Sequence, residues 1–153
     1  MAKKILISFV DENASVEVEL LEDAAPRTCQ LIWDNLPISG PCVNAKLCGD
    51  MILFPIPGSI KMDPNLENTE TVMLVGEVYY WWERGGKYQG WPEDNAEIGW
   101  PFGRHNVLTN PYEGATPGNI FGKMTGDIDK FIEVSRRVQK EGVKQVEVRR
   151  IEE

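Results

Sequence analysis

A chain of 153 residues with 24 acidic and 16 basic side chains carries a formal net charge of −8. That length suits a single domain spanning 1–153 with its own core. The charge excludes a nucleic-acid or anionic-membrane partner, because Lys3-Lys4, Arg136-Arg137 and Arg149-Arg150 are short clusters and form no stripe that could neutralise phosphates.

Residues 5–10 read as a strand and 11–14 as a turn. Val16, Val18 and Leu20 then alternate with Glu17 and Glu19, the pattern of a strand wet on one face, so a hairpin is predicted. Pro26 opens a helix, since its ring fixes φ near the helical value and it lacks an N–H that the first turn would leave unpaired. Cys29, Ile32, Trp33 and Leu36 recur at i, i+3, i+4 and i+7 and form its apolar stripe. Leu36-Pro37 and Gly40-Pro41 predict a loop, followed by short strands over 43–47 and 51–54 joined near Gly49-Asp50. The strongest later strands are predicted over 71–75 and 77–82.

From 83 to 117 the chain is rich in glycine and proline, with Tyr88, Trp91, Trp100, Phe102 and Tyr112 set among them. It predicts a short strand over 87–91 and otherwise long loops, a length more often functional than incidental. A strand over 118–124 follows. Asp127 then caps a helix with the stripe Ile128, Phe131, Ile132, Ser135 and Val138, ended by Gly142, and a strand over 143–151 completes the order. About eight short strands and two helices predict a mainly β fold, a closed antiparallel or mixed barrel whose ends the helices plug or flank.

Several short motifs carry a family resemblance. Residues 19–28, ELLEDAAPRT, resemble the turn by which cyclophilins pass from their second strand into a helix. Gly76-Glu77-Val78-Tyr79-Tyr80, the strand-to-helix junction PGNIFGKMTGD at 117–127 and the pair Glu67-Asn68 are similar to motifs of the small bacterial and archaeal cyclophilin-like proteins, whose functions are largely unassigned. The resemblance implies a closed cyclophilin-like β-barrel of about eight strands with two flanking helices. It also brings proline isomerisation into view, but the stretch 44–60, where cyclophilins carry an active-site arginine and glutamine, contains neither. The donor that would stabilise a twisted amide is then missing unless Arg104 replaces it. A few cyclophilin-like relatives are similar to amine–keto acid condensing enzymes of opine synthesis, a precedent for small-metabolite chemistry.

His105, the single histidine, sits between Arg104 and Asn106 in the long loop. An imidazole exchanges protons near neutral pH when a carboxylate tunes it, so His105 with Glu67 is the expected catalytic pair, Glu93 and Glu97 being other acids that could serve; a surface histidine is the plainer alternative. Arg104 offers a bidentate clamp for a ligand carboxylate, or a surface ion pair. Asn68 offers an amide to orient a ligand, or ordinary turn chemistry. Tyr79, Tyr80, Trp81 and Trp82 must alternate between the faces of their strand, one pair in the core and the other exposed, under the long loop or on a pocket. Tyr80, Trp82, Trp91, Trp100 and Phe102 are expected to line an aromatic cleft.

Glu93, Asp94 and Glu97 read as a solvated loop face with no calcium-loop spacing. Cys42 and Cys48 lack the further ligands that zinc requires, and Cys29 reads as an inert core thiol. With no phosphate-binding loop, nucleophile elbow or dinucleotide fingerprint, neither metal nor cofactor is expected. Three cysteines leave a disulfide framework incomplete, no run approaches the roughly 20 apolar residues that span a bilayer, and the N-terminal apolar stretch is too brief for a secretory leader. A cytoplasmic location is therefore expected. The sequence predicts a small organic ligand in a cleft beside residues 83–117, with acid–base catalysis by His105 and Glu67. Its alternatives are a proline-peptide module or atypical isomerase, and a homodimer or other homo-oligomer that uses the same aromatic surface as an interface.

Overall fold

The computed structural model describes residues 2–57 and 63–152. The hairpin of β1 (Lys4–Phe9) and β2 (Ala14–Leu20) forms as its alternation requires, with Ile5, Ile7 and Phe9 facing the same core as Val16, Val18 and Leu20. The chain continues through α1 (Pro26–Asp34), β3 (Ile38–Asn44), β4 (Met51–Pro55), β5 (Thr69–Glu70), β6 (Glu77–Glu83), β7 (Asn95–Pro101), β8 (Thr109–Asn110), β9 (Gly114–Ala115), β10 (Gly118–Thr125), α2 (Asp129–Glu141) and β11 (Lys144–Ile151). Eight strands form a ring in the order β2-β1-β11-β3-β4-β7-β6-β10, and β10 returns to β2 through Gly122–Leu20 and Thr125–Glu17. Every pairing is antiparallel, and closure leaves the ring without a free edge. The fold is thus the closed, mainly β barrel with two helices that the sequence predicts.

The helices cover opposite ends. β1 runs from α1 to α2: Lys3, just before it, sits over the Trp33 ring of α1 at 5.0 Å, whereas Phe9 at its far end packs on Phe131 of α2 at 5.0 Å. Pro26 stands in the first turn of α1, and Thr28, Cys29 and Ile32 are its buried residues. Asp127 accepts the N–H of Asp129 through Oδ1 at 3.1 Å where α2 begins, and Gly142 ends the helix at φ 91°, a conformation that favours glycine. Phe131, Ile132, Ser135 and Val138 are buried as the stripe predicts, and Val134 joins them.

Four segments depart from the sequence reading. The expected loop at 36–41 is the start of β3, and the strand expected over 43–47 ends at Asn44. A proline costs a strand a ladder donor, and β3 meets β4 only at Val43 and Asn44, so Pro41 has no partner strand on that side. Residues 71–75 form no barrel strand. They have strand-like composition, but the ring is already closed, so Val72 makes only a bridge to Val107 and Leu74 and Val75 stay exposed. The expected strand over 87–91 is a turn bridged by Tyr88 and Trp91. The loop expected over 83–117 contains β7, a strand between β4 and β6 in the ring. Gly99 and Pro101 hid it, although Ala96, Ile98 and Trp100 alternate inward with Glu97 and Gly99 outward. Residues 58–60, the end of the stretch 44–60, lie outside the described residues.

Candidate functional site

Strands β4, β7 and β6 present two layers of side chains. Inward, Phe54, Ile98 and Tyr80 stand opposite one another and join the main core. Outward, Leu53, Gly99 and Tyr79 form one cross-strand row, and Pro55, Glu97 and Trp81 form the next. Gly99 is required here, because a Cβ at that position would fall inside the Tyr79 ring. The ring lies across the glycine and its hydroxyl donates to Glu97 Oε1 at 3.4 Å.

Above this outer layer is a cleft of about 450 Å³. That volume suits a small organic molecule. Trp81, Leu53 and Glu97 form its floor; residues 45–48 make one wall, and Leu108, Asn110 and Thr116 belong to the other. The walls are fastened together: Cys48 Sγ accepts the Thr109 N–H at 3.3 Å, and the Trp81 indole N–H donates to Thr116 Oγ1 at 3.3 Å. Trp91 stands at the rim, edge-on to Trp81 at 6.1 Å and to Tyr112 at 5.4 Å. Tyr88 and Tyr112 stack at 4.6 Å, and the Tyr112 hydroxyl donates to the Gln89 carbonyl at 2.7 Å, tying 85–91 to the β8–β9 hairpin.

Glu97 is the electrostatic feature of the cleft. Burial among apolar groups disfavours its charged form and pushes its carboxyl up to about 7, against the opposing pull of the Tyr79 hydrogen bond. Tyr79, fully buried beneath, is pushed well above the usual phenol range by burial and then by the Glu97 charge. Burial also raises the thiols of Cys29 to about 12 and of Cys42 to about 11, which leaves both protonated and unreactive. Among the described residues, no three His, Cys, Asp or Glu side chains are grouped so as to hold a metal ion.

Of the residues singled out from sequence, Trp91 lines this cleft. The four-aromatic run alternates as expected, and Tyr79 and Trp81 are the pair beneath the cleft; Tyr80 is in the barrel interior and Trp82 packs half-buried against it. Trp100 is also interior, donating to Ser135 Oγ at 3.0 Å, and Phe102 is buried under the Arg136 guanidinium at 5.9 Å. Glu67 accepts the Thr28 N–H at 2.6 Å and the Thr28 hydroxyl at 2.8 Å, with Arg27 at 3.5 Å, so it fastens its segment to the first turn of α1. Asn68 donates to the Ile120 carbonyl at 2.9 Å rather than to its own backbone. Arg104 and His105 are exposed, and their backbone carbonyls lie against Gly49, behind one cleft wall. No hydrogen bond or ion pair joins His105 to Glu67 among the described residues. Glu97 corrects the reading of a solvated loop face: it is half-buried on β7. The alternation Ala96, Ile98, Trp100 against Glu97 and Gly99 was the signal that could have found it.

The family described as "Protein of unknown function (DUF3830)" matches residues 7–149. The chain belongs to the DUF3830 family. No curated protein matches its sequence. Among solved structures, this DUF3830 chain is similar to McbB in complex with tryptophan, with a TM-score of 0.69 and 20% identity over 97% of the chain. It spans 45% of the McbB chain, less than half that protein's length. It is also similar to the hypothetical protein AF2241 from Archaeoglobus fulgidus, with a TM-score of 0.63 and 26% identity over 98% of this chain and 95% of that one. A Cryptosporidium parvum cyclophilin-type peptidyl-prolyl cis-trans isomerase aligns with a TM-score of 0.52 and 10% identity over 99% of both chains. The DUF3830 barrel is a cyclophilin-like fold. None of its described helices is long and apolar enough to cross a membrane.

Proposed function

We propose that the outer cleft binds a small organic molecule with a flat apolar body, anchored by the Glu97 carboxyl. The observation that carries this reading is a half-buried acid on the floor of a cleft whose surroundings are otherwise mainly apolar. Trp81 and Trp91 offer the molecule aromatic faces and edges. Glu97 can accept a hydrogen bond or pair with a cation there, and an acid that titrates near neutral pH can also take up and return a proton. Acid–base chemistry on a bound metabolite is therefore placed on Glu97 rather than on His105 with Glu67. McbB, whose structure holds tryptophan, lends precedent for a flat ring bearing an amine on a barrel of this kind. The cleft-lining residues include no arginine, which gives proline isomerisation no cationic donor at this place.

Calorimetric titration with indole and tryptophan tests the proposal. Leu53→Arg, which fills the floor, is expected to abolish binding, and Trp91→Ala to weaken it by about tenfold, the loss of one aromatic contact. His105→Ala and Glu67→Gln are expected to leave affinity unchanged. Binding that survives Leu53→Arg in a folded protein, or that disappears with His105→Ala, would refute the assignment of the site.

A further inference from the structure

Two amides at the cleft are committed by the hydrogen bonds they already make. Asn110, only 2% exposed, accepts the Tyr112 N–H through Oδ1 at 2.8 Å, which leaves its Nδ2 as the free group. Asn44 donates through Nδ2 to the Ala45 carbonyl at 2.9 Å, which leaves its Oδ1. Both free atoms are buried and without a hydrogen-bond partner, and both residues line the cleft. Buried polar atoms are nearly always partnered, and leaving one unpaired is costly. The cleft therefore presents one donor, one acceptor and one carboxyl around an aromatic wall.

The charges at the site bear on what can meet this pattern. A ligand carboxylate would lie near the Glu97 carboxyl in surroundings that screen poorly, so the two could not both ionise without cost. Lys46 is the lone cation among the lining residues and is exposed, and the net charge of −8 adds a general repulsion of anions. An amine meets none of these penalties.

Resting on the reading of the cleft as a ligand site, we infer that its ligands are aromatic amines in which any carboxyl is masked as a neutral carbonyl, the carbonyl accepting from Asn110 Nδ2 and an N–H donating to Asn44 Oδ1. Aromatic amino-acid amides belong to this class; free aromatic acids do not. The selectivity is unlike that of a site built to hold a carboxylate, which would place an arginine or several backbone N–H groups where this cleft has side-chain amides.

Five indole probes at near-neutral pH test the inference: tryptophanamide, tryptamine, tryptophan, indole-3-propionate and indole itself. Tryptophanamide is expected to bind about tenfold tighter than tryptophan, with tryptamine between them and indole-3-propionate weakest. Asn110→Asp keeps the oxygen that Tyr112 uses and replaces the free donor with an acceptor. It is expected to erase the advantage of tryptophanamide over tryptamine, with Asn44→Ala as a second variant and urea unfolding as the check on folding. If tryptophan or indole-3-propionate binds as tightly as tryptophanamide, or if a folded Asn110→Asp protein keeps the wild-type ranking, the inference is overturned while the ligand cleft stands. If no probe binds, indole included, the cleft assignment fails and the inference fails with it.

Discussion

The two faces of β6 and β7 are built from the same residues in sequence and solve opposite problems. On the inner face Val78, Tyr80, Ile98 and Trp100 fill space: Trp100 packs on Phe9 at 6.2 Å and on Phe131 at 5.4 Å, and its one polar group is satisfied by Ser135. On the outer face Tyr79, Trp81, Glu97 and Gly99 support a cleft edged by Asn44 and Asn110, whose free polar atoms are left unpaired. Packing that is complete on one side and incomplete on the other, across one sheet, separates the part of the sequence that holds the fold from the part that offers chemistry.

Perturbing the inner face should cost the most stability. Trp100→Ala removes a buried ring and orphans the Ser135 hydroxyl, for an expected loss of about 3–5 kcal/mol in urea unfolding. The outer face should answer to pH instead. With the Glu97 carboxyl raised from its ordinary 4.5 to about 7, the folded state holds a proton that the unfolded state has released between those values, so this group's contribution to stability falls as pH rises through that window and is level above it. Tyr79 of β6 and Cys48 of the cleft wall face this carboxyl, and Lys46 stands at the rim. Stability of Glu97→Gln minus wild type, measured from pH 4 to pH 8, should therefore grow by on the order of 1–3 kcal/mol; a flat difference would mean that the carboxyl is solvated.

Gly99→Ala joins the two faces. Its methyl displaces the Tyr79 ring, and a loss of about 1–3 kcal/mol together with a changed pH profile is expected. A stability loss with the pH profile intact would show that Tyr79 does not set the environment of Glu97. The smallest effect is expected at Glu67→Gln, about 1 kcal/mol from weakened bonds to Thr28 and Arg27, with ligand affinity unchanged.

Much of the inner face was legible because it is periodic. Val16, Val18 and Leu20 announced their strand, Pro26 its helix, and Phe131, Ile132, Ser135 and Val138 the buried stripe of the second. The outer face was far less so. Glu97 stood among Glu93, Asp94, Gly99 and Pro101, whose local preferences all suggest a loop, and its strand is fixed by pairing with β4 and β6, residues more than ten positions away. Asn44 and Asn110 gave no local sign at all, since their meaning depends on which of their own atoms the backbone already occupies. The aromatic run showed that its faces must alternate, but only the closed ring determines which pair faces outward.

The first and last strands of this ring are neighbours, with Lys4 opposite Ile151. Adjacent antiparallel backbones lie about 5 Å apart, so the chain begins and finishes its circuit at almost the same place. A barrel with that property can be carried as a guest inside a surface loop of another protein, spreading the host's backbone hardly more than a tight turn does. For the same reason its two ends can be joined by a short linker and new ends cut elsewhere, with every ladder of the ring kept.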